Sequence, residues 1–284
     1  MEIVRRIRLF TVTAAVVLAA AGPLAASGKI EFGFHYGSWS VNILRGPIES
    51  LLSDVLQSEF RDKFIEEIRK DTPGFQQTFY DQKVSFDSSG SNFGFELRWY
   101  PGGSDGSFSL GVAVEKTSMK LALPEVSATL QGTDTATKQL GSLAAKVAGE
   151  MLIEPLSFHL SFRWDLWPKA AVHPYISFGF GLAGAAVYDT GRVSYSYDAT
   201  FTTPGKDAEH YADSSSKTFR QLETESKTDE NGNPKPNDFK LPGFFPFFQL
   251  NLGLKVRVTD SIHLLVDYGF LDGFVLRGGV AVRL

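Results

Sequence analysis

Single charged residues stand between large apolar ones along much of this chain. Glu31 lies between Ile30 and Phe32, Glu96 and Arg98 flank Leu97, Arg163 and Asp165 flank Trp164, and Lys255 and Arg257 flank Val256. Glu115 follows Val114, Asp267 lies between Val266 and Tyr268, and Arg277 and Arg283 sit in a row of Leu, Gly, Val and Ala. Side chains of both signs brought into one narrow space form ion pairs, because an unpaired buried charge is costly. Such a set serves either as a polar pore or gate, or as a solvated plug that holds a shape. A space just wide enough for side chains to fill favours the plug. Other chemistry is not spelled out. The histidines (His35, His159, His173, His210 and His263) lack metal-ligand spacing. Gly179-Phe180-Gly181 precedes no helix and is not a dinucleotide fingerprint. The chain has no Cys, which excludes disulfides, thiolate chemistry and a lipid-bearing Cys. No cofactor is implied.

The elements that would turn those charges one way are strands of period two. In the last stretch Ile262, Leu264, Val266, Tyr268 and Phe270 form an apolar row, and after Asp272-Gly273 the row resumes with Leu276, Gly278, Val280, Val282 and Leu284. Two alternating runs joined by Asp-Gly read as a hairpin. The same alternation predicts strands over 29–41, 92–100, a segment from 108 past Met119, 157–165, 176–183 and 247–258, so eight in all. Between the first two, Ile48, Leu51, Leu52, Val55, Leu56, Phe60, Phe64 and Ile68 recur at helical spacing, which predicts one amphipathic helix over 46–71. Residues 124–149 read as small and polar, and 190–243 as a long polar surface loop with room for a hairpin around Val193 to Phe201.

Composition bounds the setting. A mean hydropathy of −0.07 excludes a bundle of transmembrane helices, which needs several runs of about 20 apolar residues. It fits a barrel, in which half of each strand faces inward. A net charge of −4 offers no footprint for nucleic acid. Arg5, Arg6 and Arg8, the apolar run from Leu9 to Ala21 and the small-residue exit through Ser27 read as a secretory signal peptide over 1–27. Apolar residues hold one face of the strands and Gly, Ser and both signs of charge the other, which is too polar for a dry soluble core. Short and long connections alternate. Trp99, Trp164, Trp167 and Tyr175 fall at one rim, and Tyr36, Trp39, Tyr188, Phe244, Phe245, Tyr268 and Phe270 at the other, as two membrane girdles. The fold expected over 28–284 is therefore all-β: an up-and-down antiparallel transmembrane barrel of about eight strands, carrying the helix after strand one.

That architecture resembles the small outer-membrane barrels of the OmpA transmembrane domain, OmpX and OmpW kind. The resemblance implies a C-terminal assembly signal, carried here by Arg277, Gly279, Val282 and Leu284, with Leu in place of the usual terminal Phe. It also implies an outer-membrane location in a Gram-negative-type bacterium, contact with outer-membrane lipids and with the barrel assembly machinery, and a monomer. His159-Leu160-Ser161 resembles the His-any-Ser of the outer-membrane lipid A deacylase, whose His activates its Ser, although Phe162 stands where that family has Asn. The phase of the strand turns both residues inward, as polar lining. The expected role is non-enzymatic, structural or surface-interacting, with an unidentified extracellular ligand on the outer loops. A narrow channel for small or apolar solutes and a lipid-modifying hydrolase are the alternatives. Within the interior, Glu31 and Arg283 are expected as a partly solvated rim pair, and Glu96 and Arg277 as a deeper one.

Overall fold

The computed structural model describes residues 28–55, 57, 61–203, 206–224, 227–228, 234–235 and 242–284. The expected signal peptide, 1–27, lies outside the described residues. The chain is nearly all-β. Its strands are β1 (Lys29–Ser40), β2 (Phe75–Tyr100), β3 (Phe108–Asp134), β4 (Leu140–Ile153), β5 (Leu156–Asp165), β6 (Val172–Gly184), β7 (Arg192–Thr202) and β8 (Glu209–Thr218). They continue with the two-residue β9 (Lys227–Thr228) and β10 (Pro234–Lys235), then β11 (Phe244–Arg257), β12 (Ile262–Leu271) and β13 (Phe274–Arg283).

Eight of these close a ring of antiparallel pairings, β1–β2–β3–β5–β6–β11–β12–β13, which returns to β1. Closure pairs Glu31 with Arg283 at one end and Ser40 with Phe274 at the other. Leu284 N donates to Ile30 O at 2.8 Å beyond the last ladder pair. The tight turn between β12 and β13 has Gly273 at φ +102°, where a Cβ would collide with the Trp39 indole. That indole instead donates to Asp272 O at 2.7 Å.

The ring wall is inverted relative to a soluble protein. On β6, Phe178 is 42 % exposed and its neighbour Ser177 3 %. The outward row of β5, Leu156, Phe158, Leu160, Phe162 and Trp164, faces away from the ring, and Ser157, His159, Arg163 and Asp165 are buried inside. Three residues expected in the aromatic girdles are buried instead: Tyr175 points into the ring, Trp39 packs with Met119, Ala183, Phe247 and Val275 over its mouth, and Tyr188 is 4 % exposed.

Two expected features differ. Residues 124–149 are largely strand, and 190–243 is not mainly loop: β3 runs on to Asp134, β4 returns beside it, and β7, over the segment expected as a hairpin, pairs with β8, giving a half-wall β2–β3–β4–β7–β8 above one side of the ring. β2 begins at Phe75, well before the expected residue 92. Within the helix expected over 46–71, the described helical stretches include Arg45–Val55 and Lys63–Asp71. The second covers the half-wall: Ile65 and Ile68 pack on Phe75, Leu130, Leu143 and Ala145, so this outer part has a core of its own. Helix formation there is driven by burying one apolar face, since a helix this short is marginal alone.

Candidate functional site

The strand period carries five acids and five bases into the ring: Glu31, Glu96, Glu115, Asp165 and Asp267, with Arg98, Arg163, Lys255, Arg277 and Arg283. They form a connected column. At the end where β1 starts, Glu31 accepts from Lys255 Nζ at 2.6 Å and from Arg283 Nε at 3.0 Å, and Arg163 stands 3.7 Å away. Lys255, whose side chain is 0 % exposed, also donates to Tyr100 Oη at 2.9 Å and lies 3.9 Å from Asp165. The Arg283 guanidinium rests 3.9 Å from the Tyr100 ring centroid, a cation–π contact that covers the pair.

One level further along, Glu96 accepts from Arg98 at 2.5 Å, Arg163 at 3.2 Å and Ser161 Oγ at 2.9 Å. Beyond it, Arg277 donates to Asp267 at 2.8 Å and to Gln249 at 3.2 Å, with Glu115 at 3.7 Å. Tyr175 Oη donates to Asp267 at 2.7 Å. Glu115 accepts from Asn92 at 2.9 Å and stands near His35 and His159, at 3.7 and 3.8 Å. The free space left along the column is a cavity of about 40 Å³. That is room for a few water molecules, each of which needs about 10–15 Å³ of such space, and for nothing larger. The interior is therefore a filled polar core in which each charge faces an opposite one, although both Asp165 carboxylate oxygens are buried without a hydrogen bond, with Lys255 3.9 Å away.

Several expected placements change. Arg257 stays out of the column, half-exposed at the end of β11, where it donates to Lys169 O at 2.8 Å. Glu31 and Arg283 do meet, but both side chains are buried, 2 % and 8 % exposed, rather than solvated at a rim. Glu96 and Arg277 are not partners: Glu96 belongs to Arg98 and Arg163, and Arg277 to Asp267. His159 and Ser161 line the interior as expected and do not pair with each other. His159 Nε2 sits 2.7 Å from Ser157 Oγ, and Ser161 is engaged by Glu96 and Arg98. Of the residues in the C-terminal signal, Arg277 faces inward, Gly279 lies where a Cβ would meet Phe34 O, and Val282 and Leu284 are exposed on the outward row.

Sequence reasoning missed Tyr100 and Tyr175 as interior ligands of the charges. The signal was present, because the count that turns Arg98 and Ser177 inward turns Tyr100 and Tyr175 inward as well.

No family model and no curated protein matches the chain. Among solved structures, the translocator domain of the autotransporter NalP from Neisseria meningitidis is 10 % identical, covering 96 % of this chain and 98 % of that one at a TM-score of 0.24. The transport unit of the autotransporter AIDA-I from Escherichia coli is 7 % identical over 91 % and 89 %, at 0.15. The CymD monoaromatic hydrocarbon channel is 8 % identical over 90 % and 87 %, at 0.16. None of these three is of the OmpA, OmpX or OmpW kind, and overlap at such scores carries no argument about function.

Proposed function

We propose that the chain is an outer-membrane β-barrel whose filled interior makes it a rigid, non-enzymatic anchor for the surface half-wall it carries. The observation that supports this reading is the inversion of the ring wall. Outward-facing Phe, Leu, Val and Ile are exposed all round the ring, and nine charges are buried within it with a tenth, Glu96, partly buried. In water this arrangement would expose the apolar surface and bury the polar groups, losing both terms. In a bilayer it gains both. The height fits. From Leu156 to Trp164 is eight residue steps, about 26 Å of strand at roughly 3.3 Å each. At a tilt of about 40° that is about 20 Å, near the apolar band of about 25 Å in such barrels.

The half-wall supplies the interacting part. It stands on the side of long connections, and Tyr195, Tyr197 and Tyr211 are exposed on it. In this reading the chain works as a monomer among outer-membrane lipids, delivered by the barrel assembly machinery through its last strand. The test is fractionation with a heat-modifiability gel, followed by reconstitution in planar bilayers. The expected results are a heat-shifted band in outer membranes, cleavage within 203–243 by protease added to intact cells, and no steady conductance. A soluble periplasmic product without a heat shift overturns the barrel, and a stable open conductance overturns the plugged anchor.

A further inference from the structure

The helix Arg45–Val55 is attached to the half-wall by its polar groups. Phe86 N donates to Glu49 Oε1 at 2.8 Å, Gln82 Nε2 donates to Ser53 O at 3.1 Å, and Arg45 donates to Asp87 Oδ1 at 2.9 Å. Just before the helix, Asn42 accepts from Ser88 N at 2.8 Å and donates to Ser88 O at 3.0 Å. These bonds serve the edge of β2 beyond Gly90, the last residue that β1 pairs. An uncovered edge there would be a template for strand addition.

Ile48 and Leu52 are half-buried, but other apolar residues of the helix and of the turn that leads into it point outward. Leu44, Leu51 and Val55 are 45 %, 66 % and 48 % exposed and recur at steps of seven and four, which is one stripe of a helix. Ile43, 67 % exposed, extends it. A helix on a soluble domain does the reverse, apolar side in and polar side out. Here the inversion of the ring wall is repeated.

The stripe is also continuous with that wall. β1 runs into this helix, and its outward residues Phe32, Phe34 and Tyr36 are exposed members of the apolar band. From Tyr36 to the end of β1 at Ser40 is about 13 Å of strand, or about 10 Å of height at a tilt of about 40°. Headgroup regions extend several ångströms beyond the hydrocarbon core, so the helix starts at about their level. The helix carries Glu49 and Asp54 against the single base Arg45, so apolar area rather than charge attraction would hold it there.

We propose that this helix lies on the outer-leaflet lipid, with the Leu44, Leu51 and Val55 stripe at the boundary of headgroups and acyl chains. The proposal rests on the membrane reading of the ring. Because the chain has no native Cys, Leu51→Cys, Val55→Cys, Phe178→Cys and Ser196→Cys each accept one nitroxide label, and a heat-modifiability gel checks that each variant is assembled. In phosphatidylcholine bilayers, collision of each label with oxygen is compared with collision with a water-soluble nickel chelate. Labels at Leu51 and Val55 should favour oxygen, as Phe178 does, and Ser196 should favour nickel. If Phe178 favours oxygen while Leu51 and Val55 match Ser196, the proposal is overturned and the barrel stands. A Phe178 label open to nickel overturns the membrane reading beneath it. Spin–spin broadening at Leu51 that disappears on dilution with unlabelled protein would put a second copy on the stripe, and likewise overturns the lipid assignment.

Discussion

Replacing Glu31 with Gln removes the one negative charge that Lys255, Arg283 and Arg163 share at 2.6, 2.9 and 3.7 Å. At about 4 Å and an effective dielectric of about 20, each such pair is worth about 4 kcal/mol before desolvation. Releasing the carboxylate from the interior offsets much of that sum. What remains is a set of buried cations, with Asp165 3.9 Å from Lys255 and Glu96 3.2 Å from Arg163 as the nearest counter-charges. Breaking a buried pair in this way costs about 3–5 kcal/mol, so Glu31→Gln should fall in that range. Arg283→Met should cost less, about 1.5–3 kcal/mol for a charged hydrogen bond, because Lys255 and Arg163 still hold Glu31. In the double variant the Gln no longer faces Arg283, and the loss should be smaller than the sum of the singles by about 0.5–3 kcal/mol. The assay is equilibrium urea unfolding in detergent micelles, read by the heat-modified band. With slopes of about 1–3 kcal/mol/M the Glu31→Gln midpoint should drop by about 1 M or more. Losses that add to within about 0.5 kcal/mol would show that the two residues are not coupled and that the pairing described here is wrong.

Phe178→Arg and Leu252→Arg should each cost about 2–4 kcal/mol in bilayer refolding, whereas Phe178→Leu should be nearly neutral; equal losses would reverse the assigned facing. Gly90→Ala should block assembly, since its Cβ would press on Ser118 O at 2.0 Å, and a normal heat shift for this variant would refute the β2–β3 register. Asp272, in the turn outside the strands, has its carboxyl raised by burial from 3.8 to about 6. A raised acid contributes stability that is present below about 4 and lost as pH rises through 6. Asp272→Asn keeps an oxygen for Phe248 N, so it should equal the parent at pH 4 and exceed it above pH 6 in urea midpoint; a parallel pair of pH curves would remove Asp272 from the account.

How much of this was legible depends on contrast. The ring strands alternate Phe or Leu with Arg, Glu or Gly, because one face meets lipid in our reading and the other meets charge, so a period of two stands out. In the half-wall that contrast fades. Ala128 and Leu130 alternate with Ser127 and Thr129, and Tyr195 and Tyr197 with Ser194 and Ser196, since both faces meet water except where Ile65 and Ile68 cover one. Small and polar residues in a strand then look like loop, so β8 falls in what reads as a polar surface connection and β4 in a stretch with no assigned element.

The charge column divides in the same physical way. Period two tells which face a residue takes but not its height or its neighbour around the ring. Glu31 and Arg283 could be matched because one opens the first strand and the other closes the last, and both therefore share an end. Arg277 was matched by height to Glu96, across the interior, when the hairpin already held its partner. In a tight hairpin, residues equally far from the turn centre face each other, and Asp267 and Arg277 each stand five positions from Asp272. That register delivers the opposite charge at 2.8 Å without any knowledge of how the ring closes. Glu96 has no such local partner across its own turn: β2 and β3 set it against Ala113, and its cations come from Arg98 on the same face and from Arg163, contributed by β5 across β3. Cross-strand pairs inside one hairpin are thus readable from the turn outward. Pairs that span a third strand depend on the stagger of the closed ring, which no single strand encodes.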